Sequence, residues 1–173
     1  MLKGISIDPE KISKIQAWPR PRIKNETRSF LDYATYYRKF IRNFSSIAEP
    51  LNKLLQKDQC KKTNEQCEKS FDNLKKAFAE VITLAYPDFT KSLTVNCNGS
   101  DYGIGGILLQ IINRVERPIA YFNQSLSKAE RKYAVTRTEM LGLVDSLKHL
   151  RCYVIGKKFR VRTDNCVAMV EHI

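Results

Sequence analysis

The residues Val95-Asn96-Cys97-Asn98-Gly99-Ser100-Asp101-Tyr102-Gly103-Ile104-Gly105-Gly106-Ile107-Leu108 set the order of secondary structure in the second half of this chain. Position by position, polar and less polar side chains alternate up to Asn98, the period of a strand with unlike faces. Gly99-Ser100 then supplies a tight turn, and a second strand runs over about 102–112. The first strand begins near residue 92, and a third is predicted over 116–122, reached through Asn113-Arg114. A long helix is expected from about Lys128 to Tyr153, stopping before Gly156. A strand over 158–163 and the start of a helix over 165–173 close the chain. Three strands, a helix, a strand and a helix make an α/β fold, with antiparallel hairpins first and a parallel return strand after them.

Upstream of this stretch the period is helical. Residues 8–18 open with Asp8 as a cap, Pro9 in the first helical position and Glu10 at the positive end of the dipole. Pro19 and Pro21 stop that helix. From Asn25 a second helix carries Phe30, Leu31, Ala34, Tyr37, Phe40 and Ile41 on one face, with Arg28, Arg38, Lys39 and Arg42 off it. Burial preference makes those aromatics core residues rather than platforms for stacked bases. A short helix is expected over 48–57 around Pro50, and a longer one over about 64–80 with Cys67, Phe71, Leu74 and Phe78 inward. The change of period near residue 85 predicts a helical region over 1–85 and a sheet-containing region over 86–173.

Lys and Arg number 30 against 18 Asp and Glu, giving +12, and the excess is not confined to a tail. A basic surface favours polyanions, nucleic acid first, although surface lysine also serves plain solubility. The five cysteines have irregular spacing and no Cys-x-x-Cys, so free thiols in a reducing compartment are expected. No apolar run approaches membrane-spanning length and the first residues lack a signal-peptide pattern. An intracellular protein without membrane contact is the expectation.

Several stretches resemble the ribonuclease H-type domain in the polyprotein of gypsy-class LTR retrotransposons. They are Tyr86-Pro87-Asp88-Phe89, Ser100-Asp101-Tyr102-Gly103-Ile104-Gly105, Arg117-Pro118-Ile119-Ala120-Tyr121-Phe122, Ser125-Leu126-Ser127-Lys128-Ala129-Glu130 and Arg162-Thr163-Asp164-Asn165. Trp18-Pro19, Arg28-Ser29-Phe30-Leu31, Tyr36-Tyr37-Arg38-Lys39-Phe40-Ile41 and Glu49-Pro50-Leu51 resemble the end of the reverse transcriptase in the same polyprotein, its thumb and connecting region. The resemblance implies a ribonuclease H-like mixed sheet with flanking helices, incomplete at the C-terminus. It implies a nuclease that cuts the RNA strand of an RNA–DNA hybrid with two Mg²⁺. Its first acid falls on Asn98, its helical acid on Glu139 and its strand-end acid on Asp164, while a last acid would lie beyond Ile173.

Asn98 is the departure that matters. Two divalent cations about 3.5–4 Å apart need several anionic ligands between them. A carboxamide offers one neutral oxygen, and its NH₂ repels a cation. At an effective dielectric of about 20, one lost charge at roughly 4 Å is worth on the order of 4 kcal/mol before desolvation. Glu139 and Asp164 remain as candidate metal ligands, holding Mg²⁺ weakly or not at all without an acid at Asn98. Taken without the resemblance, Glu139 reads as a solvated helix residue and Asp164 as a helix N-cap. Asp101 reads as turn chemistry, and Cys97 as facing away from Asn98.

Ser100, Asn123, Gln124, Ser125, Arg137 and Thr138 are candidates for contact with a hybrid's sugar-phosphate backbone. Lys39, Arg42, Lys75 and Lys76 are candidates for a basic track. The sequence therefore predicts salt-dependent binding of an RNA–DNA hybrid or duplex with catalysis impaired. The alternative is a non-catalytic module of captured retroelement origin that binds nucleic acid or a protein. Apolar residues of the closing helix (Val167, Ala168, Met169, Val170 and Ile173) would then invite a protein partner or self-association.

Overall fold

Residues 4–56, 65–163 and 167–170 are described by the computed structural model. The first part is helical: α1 (Pro9–Gln16), α2 (Lys24–Tyr36), α3 (Phe44–Leu55) and α4 (Glu65–Ala79). A two-stranded antiparallel ribbon, β1 (Gly4–Ile5) with β2 (Leu84–Ala85), ties its two ends together. Asp8 caps α1 as its sequence suggests, its carboxylate accepting from the Glu10 N–H at 2.9 Å. Arg20 pairs with Glu68 and Asp72 of α4, which pins the proline segment after α1.

The apolar face read across residues 30–41 is buried, with Phe30, Leu31, Ala34, Phe40 and Ile41 all in the core. It is not one helix, however. The α-helix ends at Tyr36, a 3-10 turn spans Arg38–Phe40, and Ile41 is extended. Asn43 takes the left-handed conformation (φ 55°) and launches α3 four residues earlier than expected, with Pro50 accommodated inside it. Together with Ile15, Leu51, Phe71, Leu74, Phe78 and Leu84 these residues form the first buried cluster.

The second part is a five-stranded sheet in the order β5-β4-β3-β6-β7. It comprises β3 (Leu93–Gly99), β4 (Gly103–Ile112), β5 (Val115–Ser125), β6 (Phe159–Arg162) and β7 (Val167–Val170). The hairpins β3–β4 and β4–β5 are antiparallel and β6 lies parallel to β3, so the mixed α/β sheet is as expected. Asn113 and Arg114 turn the second hairpin with φ of 53° and 63°. Gln110, almost fully buried, clamps the Tyr86-Pro87-Asp88 turn to β4: it accepts from the Asp88 N–H and donates to the carbonyls of Asp88 and Lys91.

Two elements differ from expectation. The region 128–153 is not one helix but a 3-10 turn over Glu130–Lys132, an extended Tyr133-Ala134, then α5 (Val135–His149) and α6 (Arg151–Val154). Ser127 and Glu130 do form a reciprocal capping box, with Ser127 N–H to Glu130 and Glu130 N–H to Ser127. Its turn ends early because Arg131 is drawn to the Leu126 carbonyl and to Glu49 of α3, at 3.1 and 3.0 Å. The second difference is at the end: Val167–Val170 is strand β7, antiparallel to β6, where a helix was expected over 165–173. A four-residue apolar run carries no period of its own, and the open edge of β6 decides it.

Helix α5 lies on one face of the sheet. Its small residues Gly142 and Ser146 are buried there, and Gly106 of β4 leaves no room for a side chain beneath Ser146. Leu143, Leu147, Leu150 and Val154 close a second buried cluster with Val95, Cys97, Leu108, Phe159 and Val161, while Leu141 joins Ile104, Phe122 and Leu126. Val144 is 42% exposed, because α5 approaches the sheet through its small side chains. The two parts touch through Asn123, whose amide donates to the Ile41 carbonyl at 3.0 Å, and through Glu49–Arg131. No helix among the described residues is long and apolar enough to cross a membrane.

Candidate functional site

Strand pairing decides which way Asn98 looks. Cys97 stands opposite Gly106, which stands opposite Phe122, and this row meets α5; Asn98 stands opposite Gly105 and Asn123 on the other face. Cys97 is buried, and burial raises its thiol pKa, opposed by the nearby Ser146 hydroxyl. It is thus an inert core thiol, as the alternation implies. Asn98 is exposed at the end of its strand.

Two clefts flank that strand end on the Asn98 face. One, of about 100 Å³, is lined by Asn96 and Asn98 of β3, Gly105 of β4, Tyr121 and Asn123 of β5, Arg42 and Asn43 from the helical part, and Arg162-Thr163. The other adds Ser45, Ser46 and Ser100. The α3 N-terminus therefore opens beside Asn98, and it carries no side-chain cap of its own. The Asn96 carboxamide oxygen is buried without a hydrogen-bond partner. Burial raises the pKa of the Tyr121 hydroxyl, and the Arg42 guanidinium pulls it the other way.

Glu139 lies elsewhere. On the second turn of α5 it lines a third cleft with Asp101, Arg131, Tyr133 and Thr138. Gly99 and Ser100 border both this cleft and the one beside Asn98, and α5 packs against the strand end there through Thr138 and Gly142. Asp164 lies outside the described residues. Among the described residues no cleft lining gathers three carboxylate, thiolate or imidazole groups, and position 98 offers an amide oxygen where the resemblance places a carboxylate.

The remaining expected contacts divide. Ser100 is spent on its own turn, donating to the Gly103 carbonyl at 2.9 Å and facing the Ser46 hydroxyl at 3.1 Å. Asn123 is buried and committed to Ile41, which removes it from the candidates. The Gln124 amide donates to Asp145 at 3.4 Å. Thr138 packs over Gly99 and lines the Glu139 cleft, and Arg137 stacks on the Tyr133 ring at 3.9 Å. Lys39 sits over Phe40, and Lys75 donates to the Trp18 carbonyl at 3.0 Å. Of the basic candidates only Arg42 reaches the Asn98 cleft. Arg162 and Tyr121 were not singled out as contacts; strand pairing, which the sequence does not give, sets Arg162 beside Asn96 in β3.

Residues 63–161 match the model of the RNase H-like domain found in reverse transcriptase. The chain belongs to this RNase H-like family. It is 36% identical to a retrovirus-related Pol polyprotein from transposon opus of Drosophila melanogaster, over 94% of this chain and 17% of that protein. It is 32% identical to the corresponding polyprotein from transposon 412 of the same organism and 33% identical to the transposon Tf2-3 polyprotein of Schizosaccharomyces pombe (strain 972 / ATCC 24843). Those matches cover 94% of this chain and 13% and 12% of the relatives. The chain thus spans under a fifth of the length of these curated relatives. Among solved structures, the foamy viral protease-reverse transcriptase dRH in complex with ds DNA superposes with a TM-score of 0.76. It is 22% identical, over 92% of this chain and 28% of that one. The foamy viral enzyme in complex with RNA/DNA hybrid gives 0.74 at 23% identity, over 92% and 22%. At that identity the likeness is one of fold, and it covers the helical part as well as the RNase H-like sheet.

Proposed function

We propose that this chain is the thumb-and-connection end and the RNase H-like module of a gypsy-class LTR retroelement reverse transcriptase, and that it grips an RNA–DNA hybrid or duplex without cutting the RNA strand. One observation carries the reading: Asn98 stands at the end of β3 in a cleft with Arg42 and Arg162 and no carboxylate among its described lining residues. A site that must hold cations would need the opposite charge. The polyprotein relatives and the complexes of the foamy viral enzyme with dsDNA and RNA/DNA hybrid support nucleic acid as the partner. The formal charge of +12 makes that binding salt-dependent. A helical region over 1–85 and an RNase H-like region over 86–173 are favoured by the two buried clusters, since α4 packs with the former even though the family match begins at residue 63. As part of a reverse transcriptase the chain would act inside the cell.

The test is cleavage of a labelled RNA–DNA hybrid in Mg²⁺ by this chain and by Asn98→Asp, alongside binding of the same hybrid. Binding without cleavage by the natural sequence is the expected result. Cleavage by the unaltered chain would overturn the reading. A second reading, docking of a protein, has one observation in its favour: Val135, Met140 and Val144 on α5 are 74%, 55% and 42% exposed. Protein binding that persists in high salt while hybrid binding is absent would select it.

A further inference from the structure

We propose that the cleft between Arg42 and Arg162 holds a phosphate group of the nucleic-acid backbone directly, with no cation between protein and phosphate. The proposal rests on the reading above only for the identity of the molecule that carries the phosphate. Its basis is the inventory of donors. Arg42 is exposed and makes no ion pair among the described residues. Arg162 gives one guanidinium nitrogen to Glu116 at 3.1 Å, and its other nitrogens make no hydrogen bond among the described residues. The Asn98 amide likewise has no hydrogen-bond partner among them, in contrast to Asn123, which is spent on the Ile41 carbonyl. Tyr121 brings a hydroxyl to the same space, close enough to Arg42 to feel its charge.

Charge and size both favour a single anionic group. No Asp or Glu is among the described residues that line the cleft. An Asp at position 98 would repel a phosphate and require a cation between the two. An Asn at the same place donates an N–H to the phosphate oxygen instead. The substitution that removes cation affinity is thus the one that admits the anion. The cleft volume of about 100 Å³ suits one tetrahedral group. The uncapped start of α3 adds a favourable dipole at the rim, a secondary contribution.

The experiment uses the full chain in EDTA and two probes, inorganic phosphate followed by NMR and a fluorescent RNA–DNA hybrid followed by anisotropy. Phosphate is expected to shift the Asn98 side-chain NH₂ and the Arg42 and Arg162 Nε–H signals. Arg42→Ala, at an exposed position without an ion pair, keeps the fold, abolishes those shifts and weakens hybrid binding at least tenfold. The slope of log affinity against log salt should fall by about 0.9, one phosphate contact. Asn98→Asp should lose the phosphate response in EDTA and recover it when Mg²⁺ is added. Unshifted signals in the unaltered chain overturn the proposal. So does Arg42→Ala binding hybrid with unchanged affinity and slope, which would leave a phosphate site unrelated to the nucleic-acid backbone. If the unaltered chain binds no hybrid at all, the proposed function fails, and a missing or present phosphate response still decides the cleft separately.

Discussion

Replacing Gln110 by leucine would strand the Asp88 N–H and the carbonyls of Asp88 and Lys91, all now satisfied by one buried amide. Leaving these part-buried backbone groups unpaired makes that substitution cost about 1–3 kcal/mol, read as a fall in the urea midpoint with an unchanged slope. Asp88 itself titrates at about 2, lowered chiefly by the Thr90 hydroxyl, then by Lys91 and the Thr90 N–H. A carboxyl whose folded pKa lies below its unfolded value stabilises fully above the unfolded value, near 3.9, and loses that stabilisation as pH falls through about 2. Asp88→Asn should therefore flatten the stability profile between about pH 4 and 2, followed by urea unfolding at stepped pH, and lower stability at pH 7, where the ionised Asp88 contributes in full. These two residues were visible in the sequence only as a turn and a polar strand position; their mutual lock needs β4 to pass beneath the turn.

At the scale of elements, the contact of α5 with the sheet rests on missing side chains. A Cβ on Gly106 would meet Ser146 Oγ and Cβ at 2.5 and 2.7 Å, inside van der Waals contact. Gly106→Ala should destabilise by about 1–3 kcal/mol, and Ser146→Gly in the same chain should recover part of it. A double-mutant cycle by thermal or urea unfolding checks the coupling, and simple additivity would refute the packing argument. Sequence period found a helix here but began it seven residues early, and hydrophobicity pointed to Leu141 and Leu147, which do pack, while missing Gly142 and Ser146, because glycine and serine carry no apolar signal. The capping box of Ser127 and Glu130 was equally readable, yet it serves only one 3-10 turn, since a contact 82 residues away in sequence redirects Arg131.

Across the whole molecule, that contact joins the two parts. Glu49 is buried in α3 with Lys53 at 2.8 Å and Arg131 at 3.0 Å, and both cations lie over the Tyr102 ring. Arg131→Met should cost about 1–3 kcal/mol, less than a fully orphaned buried charge because Lys53 stays. Hydrogen exchange should then quicken in α3 and in the turn after Glu130 while β3 and β4 keep their protection. Equal loosening throughout would show that the pair does not couple the parts. Since Arg42 enters the Asn98 cleft from the helical part, loosening this junction should also weaken hybrid binding, measurable by anisotropy in the same variant.

Local information was enough for the caps, the period-two strands, the change of pattern near residue 85 and the amide at position 98, because each depends on neighbours within one or two turns of chain. Motif resemblance named Asn98 and Glu139 as candidates, but which cleft each lines was not legible. Only tertiary structure brought Arg42 to Tyr121 and Arg162, spent Asn123 on the helical part and made a strand of Val167–Val170. The reason is physical: a short run or a lone polar side chain has several conformations of similar energy, and a partner distant in sequence selects among them.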